Sequence, residues 1–473
     1  MIERPLLIGG EPVITPQRVD VRSPYDDAVV GRTYEAAGED VEAAVCSVDR
    51  GFETMRTLPS YRRAEILQGI AGRIQEQRED LARTMALESG KPIRDARLEV
   101  DRAVLTMTTA AGESVRLYGD TIPLDVLPSA RGRVGITRRF PLGPVLAITP
   151  FNFPLNLVCH KLGPAIAAGD SMLIKPAPKT PLSALALAQI AYDSGLPPEG
   201  LSVILSSNAD AQKLVADERF KALSFTGSDI VGWRLKSLAG KKRVILELGG
   251  NAGVIADDSA DVELAAQRVA AGGFGYAGQS CISVQRTYVH KAVFGEFADR
   301  LASLAGRLKL GNPLDEDTEL GPMINPEATE RIESWINEAM TQGAEVLAGG
   351  HARGSIFEPT VLSGAPPTAR VCGDEAFAPV ISLFPFSDFS EALDSVNNSR
   401  FGLQAGIFTR RLDHAMAAFE RLDVGGVVVN DVPTFRVDPM PYGGVKDSGL
   451  GREGLRYAIE ELTELKLLVL RLD

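Results

Sequence analysis

Val145-Leu146-Ala147-Ile148-Thr149-Pro150-Phe151-Asn152-Phe153-Pro154 decides the fold. Val145–Thr149 is a short apolar run without polar alternation, which is how a strand covered on both faces reads. Pro154 suits the first turn of a helix, and the pattern predicts that helix over Leu155–Ala168. A second apolar run, Ser171–Lys175, comes after it. The same rhythm continues with strands at Leu201–Leu205, Ala222–Phe225 and Val244–Leu248. Helices are expected between them at Leu182–Ser194, Ala209–Asp217 and Ser228–Leu238. Apolar strands alternating with helices predict a parallel sheet with helices on both faces. A second set lies beyond Leu248, at Gly253–Ala256, Arg286–His290, Ile381–Pro385, Gly406–Thr409 and Gly426–Asn430. The fold class is therefore α/β, with two Rossmann-like parallel-sheet units.

Upstream, residues 1–36 read as short strands and turns. Helices are expected over Asp40–Thr57, Ser60–Ser89 and Ile93–Leu117. Ile66, Ile70 and Ile74 share one face of the second, and Gly90 and Pro92 stop it. Thr121–Pro128 and Gly132–Phe140 alternate enough to form a hairpin. Such an element often pairs with the sheet edge of a partner subunit. The last apolar stretch, Glu464–Leu472, is a strand suited to joining it.

The totals exclude several classes of function. A chain of 473 residues exceeds one hydrophobic core, so two or three domains are expected. The net charge is −12, and no basic patch offers a footprint for nucleic acid. The four cysteines are widely spaced with no CxxC pair, and the four histidines lack metal-ligand spacing. No metal site and no disulfide framework is expected, and a reducing cytoplasm fits. Met1-Ile2-Glu3-Arg4-Pro5 is not the start of a secretory signal, and no apolar run is long enough to span a membrane.

In a parallel sheet, ligands gather at the carboxyl ends of the strands. Asn152, after the first strand, offers an amide N–H for a developing oxyanion or a simple helix cap. Lys175, after the second, is either a holder of ribose or phosphate or a solvated charge. Gly227 and Ser228, after the fourth, open a helix whose N-terminus suits a pyrophosphate. Glu247, at the end of the fifth, is either a general base or a surface carboxylate. Gly278-Gln279-Ser280-Cys281 presents a cysteine behind a glycine-containing lead-in. Its thiol is a nucleophile if ionised, or a small buried hydrophobe. Nucleophile, base, oxyanion donor and dinucleotide contacts are together what oxidation through a thioester needs.

These residues, in this order, resemble the NAD(P)-dependent aldehyde dehydrogenase superfamily over essentially the whole chain. The motifs are Pro150-Phe151-Asn152-Phe153-Pro154, Lys175-Pro176-Ala177, Phe225-Thr226-Gly227-Ser228, Glu247-Leu248-Gly249-Gly250, Gly278-Gln279-Ser280-Cys281, Glu375-Ala376-Phe377-Ala378-Pro379 and Pro441-Tyr442-Gly443-Gly444. The resemblance implies that Cys281 forms a thiohemiacetal, which loses hydride to the nicotinamide and becomes a thioester. It implies that Glu247 activates the water that hydrolyses the thioester. Asn152 and the Cys281 amide correspond to the oxyanion hole. Lys175 and Glu375 correspond to ribose holders, and Phe377 to a wall beside the nicotinamide. Thr149, Pro150, Phe151, Lys179, Gly227, Ser228 and Leu248 complete the implied cofactor contacts.

By the same resemblance, residues 1–121 and 142–249 correspond to a dinucleotide-binding domain and 250–454 to a catalytic domain. Residues 122–141 and 455–473 correspond to an oligomerisation hairpin and C-terminal strand, implying a homodimer or homotetramer. The family often carries Glu where Pro178 stands, a carboxylate that repels a 2′-phosphate. Its absence, with Lys179 adjacent, leaves room for NADP beside the first expectation, NAD. Ser283, Cys372-Gly373-Asp374-Glu375 and Phe435-Arg436-Val437-Asp438-Pro439-Met440 resemble the lactaldehyde and phosphonoacetaldehyde dehydrogenase branch.

Aligned by these motifs, Arg102, His160 and Arg436 stand where relatives line the aldehyde tunnel. Two guanidiniums and an imidazole there favour an anionic substrate. The alternative pairs the arginines with Glu99, Asp101 or Asp438 and leaves His160 in the core. A short anionic or polar aldehyde is expected: a semialdehyde, phosphonoacetaldehyde, a sulfo-aldehyde or lactaldehyde. Relatives acting on phosphonoacetaldehyde tend to place Arg just before the nucleophile, where this chain has Ser280. The rival readings are a CoA-acylating dehydrogenase, whose relatives tend to lack the base, and a non-catalytic binding protein on the same fold.

Overall fold

Each strand of the first α/β run sends alternate side chains to opposite faces of one sheet. Val145 and Ala147 join Met172 and Ile174 in one apolar cluster, whereas Leu146 and Leu173 join another on the far side. That two-sided burial is why the strands carry no polar alternation. The structure, a computed structural model, describes residues 1–472. Asp473, the end of the expected segment 455–473, lies outside them.

The parallel strands are β1 (Val145–Ile148), β2 (Met172–Lys175), β3 (Leu201–Val203), β4 (Ala222–Thr226) and β5 (Arg243–Glu247), in the order β5-β4-β1-β2-β3. Leu6–Ile8 and Glu11–Val13 extend the sheet past β3. Gly449–Leu450, from the other end of the chain, pairs antiparallel with β5. The chain runs from β1 to one side of the sheet, then returns through β4 on the other. The crevice between β1 and β4 is thus the topological switch point.

The second sheet contains β6 (Ala252–Ala256), β7 (Val284–His290), β8 (Thr360–Ser363), β9 (Val380–Phe386), β10 (Gln404–Phe408) and β11 (Gly426–Val429). Its order is β8-β9-β7-β6-β10-β11, with antiparallel Glu345–Ala348 outside β8. The expected two-sheet α/β architecture is therefore present. Glu345–Ala348 and Thr360–Ser363 were not among the expected strands.

A third sheet pairs Thr121–Pro123, Arg133–Pro141 and Thr463–Arg471, all antiparallel. Its first arm is shorter than the expected Thr121–Pro128, because Pro123 and Pro128 cannot donate to a ladder. The helix expected over Ser60–Ser89 is two, Ser60–Glu76 and Arg78–Ser89, divided at Gln77. Neither Gly nor Pro marks that break. It lets Leu81, Ala82, Met85 and Ala86 turn into the same core as Ile66, Ile70 and Ile74. No helix among the described residues is long and apolar enough to cross a membrane.

Candidate active site

Parallel register brings the chemistry to one line. Ile148 pairs with Lys175 and with Phe225, and Thr226 pairs with Glu247. The turn at the carboxyl end of each of these strands therefore opens onto the same crevice. A cleft of about 690 Å³ runs from there to the loop that carries Cys281.

Cys281 is delivered by backbone strain. Tyr276 (φ +49°), Ala277 (φ +53°) and Gly278 (φ +65°) are three successive left-handed residues, a conformation costly for side chains bearing Cβ. At Gly278 a Cβ would lie 2.1 Å from the Ala378 carbonyl oxygen, so only glycine fits. The Cys281 sulfur is 3.0 Å from the Tyr442 hydroxyl. The residue keeps part of its surface open to the cleft. Burial pushes the thiol up to about 12, against the hydrogen bond to Tyr442 and with a further push from Glu375 and Glu247. The resting thiol is thereby held in its protonated form. A nucleophile here needs a base.

Glu247 ends β5 with its side chain buried, and neither carboxylate oxygen has a hydrogen-bond partner. Burial first, then the neighbouring Glu453, raises its pKa well above the ordinary carboxylate range; Arg436, Lys161 and Arg452 oppose the rise. An orphaned buried carboxylate is costly, and such groups collect where chemistry uses them. The Asn152 side-chain amide donates to the Gln279 carbonyl at 3.0 Å, and its oxygen accepts from the Phe153 amide at 3.1 Å. Asn152 is thereby fixed beside the cysteine loop with a second N–H left to give.

The cofactor side of the cleft fits a dinucleotide. Ser228 stands at the N-cap position of the ten-residue helix Asp229–Leu238 without a side-chain cap hydrogen bond, and Gly227, Ser228 and Val231 line the cleft, which sets this helix start at its wall. Lys175 is 5 % exposed, its ammonium makes no hydrogen bond among the described residues, and burial lowers its pKa against the pull of Glu35. An ammonium on a buried stem, without a hydrogen-bond partner and at the wall of a cleft, marks a place for oxygen-rich ligand atoms. Glu375 accepts from the Gly250 amide at 2.9 Å, and burial raises it to about 7. Phe377 holds a left-handed backbone (φ +46°) and sets its ring against Phe151, centroids 5.8 Å apart.

Thr149, Pro150, Phe151, Asn152, Lys175, Gly227, Ser228, Glu247, Leu248, Cys281, Glu375, Phe377, Arg102 and Arg436 all line this cleft. Lys179 is exposed and outside the lining, and His160 is buried behind it. Arg102 donates to Asp438 at 2.8 Å, and His160 Nε2 meets the same oxygen at 2.8 Å. Arg436 donates to Glu453 at 3.0 Å, lies 3.3 Å from His160, and stacks over the Tyr442 ring at 3.7 Å. The pairing of Arg102 with Asp438 is the alternative to substrate binding that its position allows. The guanidinium Nε of Arg436 remains buried and unpartnered.

Sequence reasoning gave no role to Tyr442, Glu453 or Lys161. Tyr442 and Glu453 face one another across a two-residue antiparallel bridge, and Lys161 approaches Glu453 at 3.5 Å. Tyr442 lies inside the motif Pro441-Tyr442-Gly443-Gly444. Lys161 stands out as a charge in the wholly buried helix Asn156–Ala168.

A thiol and an orphaned carboxylate flanking a dinucleotide crevice define a nicotinamide-dependent oxidoreductase. The chain belongs to the aldehyde dehydrogenase family, whose sequence profile matches residues 14–468. It is 41 % identical over 468 residues to 3-sulfolactaldehyde dehydrogenase of Priestia aryabhattai, covering 99 % of this chain and 98 % of that one. The crystal structure of aldehyde dehydrogenase 21 from Physcomitrella patens, in complex with the reaction product succinate, superposes with a TM-score of 0.97 at 44 % identity, covering 99 % of this chain and 98 % of that one. Glyceraldehyde-3-phosphate dehydrogenase GapN from Methanocaldococcus jannaschii, complexed with NADP, gives a TM-score of 0.93 at 37 % identity, covering 97 % of this chain and all of the other.

Proposed function

We propose that the protein oxidises a short anionic or polar aldehyde to its carboxylate with NAD(P)+ and water. The observation that carries this reading is the unpartnered Glu247 carboxylate sharing a cleft with Cys281 and Asn152. The Cys281 sulfur attacks the carbonyl carbon while its proton leaves to a base. The Asn152 N–H and the Cys281 amide take the charge that develops on oxygen. Lys175, Glu375 and the Gly227-Ser228 helix start hold the dinucleotide, which when bound supplies the two-electron acceptor that converts the adduct to a thioester. Glu247 then takes a proton from water as it attacks the thioester carbon, releasing the acid and the thiol. The test is reduced-nicotinamide absorbance across an aldehyde panel, with NAD or NADP and with or without CoA. No absorbance change in any arm would refute catalysis, and strict dependence on CoA would refute hydrolysis.

For the substrate we place an anionic group near Arg436, which lines the cleft over the ring of the nucleophile's tyrosine partner and holds a buried, unpartnered Nε–H. The sulfonate, carboxylate and phosphate named with the three similar proteins fit such a donor. Arg436→Ala should therefore cut kcat/KM for a short anionic aldehyde roughly 10- to 100-fold. Because Arg436 also pairs with Glu453 and restrains the pKa of Glu247, a neutral aldehyde of equal length should lose activity too, but less, so that the preference for the anion shrinks. Equal loss for both would end this assignment.

The four free cysteines suit a reducing cytoplasm. We read residues 1–121 with 142–249 as the dinucleotide-binding domain, 250–454 as the catalytic domain, and the third sheet as the means of oligomerisation. Strand Thr463–Arg471 is the outermost of its three-stranded sheet, and eight of its nine residues are exposed. Leu465, Leu467, Leu468, Val469 and Leu470 are among them. A long apolar edge of this kind is a template for a second copy. Leu467→Asp should shift the particle from dimer or tetramer toward monomer in light scattering, with secondary structure retained. An unshifted mass would exclude that edge from the interface.

A further inference from the structure

Lys91 is among the most completely buried large side chains of the molecule, and its ammonium lies between Phe153, next to Asn152, and Tyr276, in the lead-in to Cys281. Its ammonium pairs with Glu99, which is also buried. It lies 3.9 Å from the Phe153 ring centroid and 4.4 Å from that of Tyr276. The two rings touch edge to face, with centroids 6.2 Å apart. Phe153 directly follows Asn152 and donates its amide to the Asn152 side chain at 3.1 Å. Tyr276 opens the left-handed run that leads through Gln279, the acceptor for Asn152, to Cys281. Its hydroxyl donates to the Ser89 carbonyl at 3.2 Å, two residues before Lys91.

The other member of the pair reaches the same place. Glu99 Oε1 accepts from the amides of Leu155 and Asn156, both at 3.0 Å. It thus closes the start of the helix that follows Asn152, and so satisfies donors that this helix end leaves open. One ion pair therefore holds the Asn152 turn by a ring and by two amides, and holds the cysteine lead-in by a second ring. An ammonium drawn to two aromatic faces suits this task, because the attraction is strong when water is excluded and fixes both rings to one point.

We infer that Lys91 is a positioning residue: its ammonium, anchored by Glu99 and clamped between Phe153 and Tyr276, sets the Asn152 amide against the Cys281 loop. The inference rests on the proposed thiohemiacetal chemistry. It does not require Lys91 to touch substrate.

The experiment compares wild type with Lys91→Met, which keeps length without charge, and Lys91→Arg, which restores a cation. Wild-type turnover of aldehyde is the control that tests the chemistry itself. Each protein is assayed for kcat, for affinity toward the nicotinamide cofactor, and for alkylation of Cys281 by iodoacetamide, followed on its peptide by mass spectrometry. Alkylation needs the thiol but forms no oxyanion. Lys91→Met should lose roughly 10- to 100-fold in kcat, the scale of an oxyanion donor displaced rather than deleted. Its cofactor affinity and alkylation rate should stay within about threefold of wild type. Lys91→Arg should recover most of kcat. Phe153→Leu, which removes one wall of the clamp and no charge, should reproduce the loss in kcat, so the inference stays testable if Lys91→Met does not fold. The inference is overturned if kcat survives in both variants. It is overturned equally if kcat, alkylation and cofactor affinity fall together without rescue by arginine.

Discussion

Cys281→Ala should abolish aldehyde oxidation, lowering kcat by four or more orders of magnitude, as loss of the nucleophile does in other covalent enzymes. The side chain is small, and its replacement removes little packing. Cys281 joins only a minor apolar cluster with Ile282, Leu403 and Tyr442. Dinucleotide affinity should therefore be unchanged, because Lys175, Gly227, Ser228 and Glu375 are untouched. Fluorescence titration with NAD and NADP measures that affinity, and reduced-nicotinamide absorbance measures turnover. Retained turnover would remove the thiol from the mechanism. Cys281→Ser should be nearly as inactive, since a hydroxyl ionises far less readily than a thiol.

Glu247→Gln should separate the two chemical steps. The amide keeps the shape of the carboxylate but cannot accept a proton from water. Steady-state kcat should fall on the order of 10²- to 10⁴-fold, the usual worth of a general base. Stopped-flow mixing should still show a burst of reduced cofactor approaching one equivalent per site, because the thioester forms and then waits. Loss of the burst together with kcat would move Glu247 to the first step. The pH dependence stems from the raised pKa of this carboxyl. The basic form appears only as pH climbs through that elevated value, so wild-type hydrolysis should accelerate with pH, whereas the variant should be flat. Stability has the opposite sign. A carboxyl whose folded pKa exceeds the unfolded one contributes stability that is complete below the unfolded value and is lost as pH rises through the folded one. Glu247→Gln should accordingly match or exceed the wild-type Tm at pH 9.

The strand ends were legible because a parallel sheet leaves little freedom. Once Val145–Thr149 reads as a central strand, Asn152, Lys175, Gly227 and Glu247 must open onto one edge. Tyr442 and Glu453 were not, since the ten residues between them hold only two-residue strands and loop, with no period to read. The partner of Arg102 was legible only as one of three carboxylates, Glu99, Asp101 or Asp438. Asp438 stands next but one to Arg436 in sequence, yet its ion pair is with an arginine 336 positions away. Spacing could place two guanidiniums near one tunnel but could not say which carboxylates also converge there. The division at Gln77 was hidden for a related reason. Its cause is the core into which Leu81 and Met85 turn, not a helix breaker in the local sequence.

The Gly449–Leu450 ladder on β5 has a mechanical consequence. Leu246 and Glu247 pair with Leu450 and Gly449, so the strand end that carries Glu247 is stapled to a segment that returns from beyond the second sheet. A jaw-like opening of the two sheets would have to tear this seam. The backbone that carries Glu247 is thus tied by a ladder, and not by side-chain packing alone, to chain that lies beyond the second sheet.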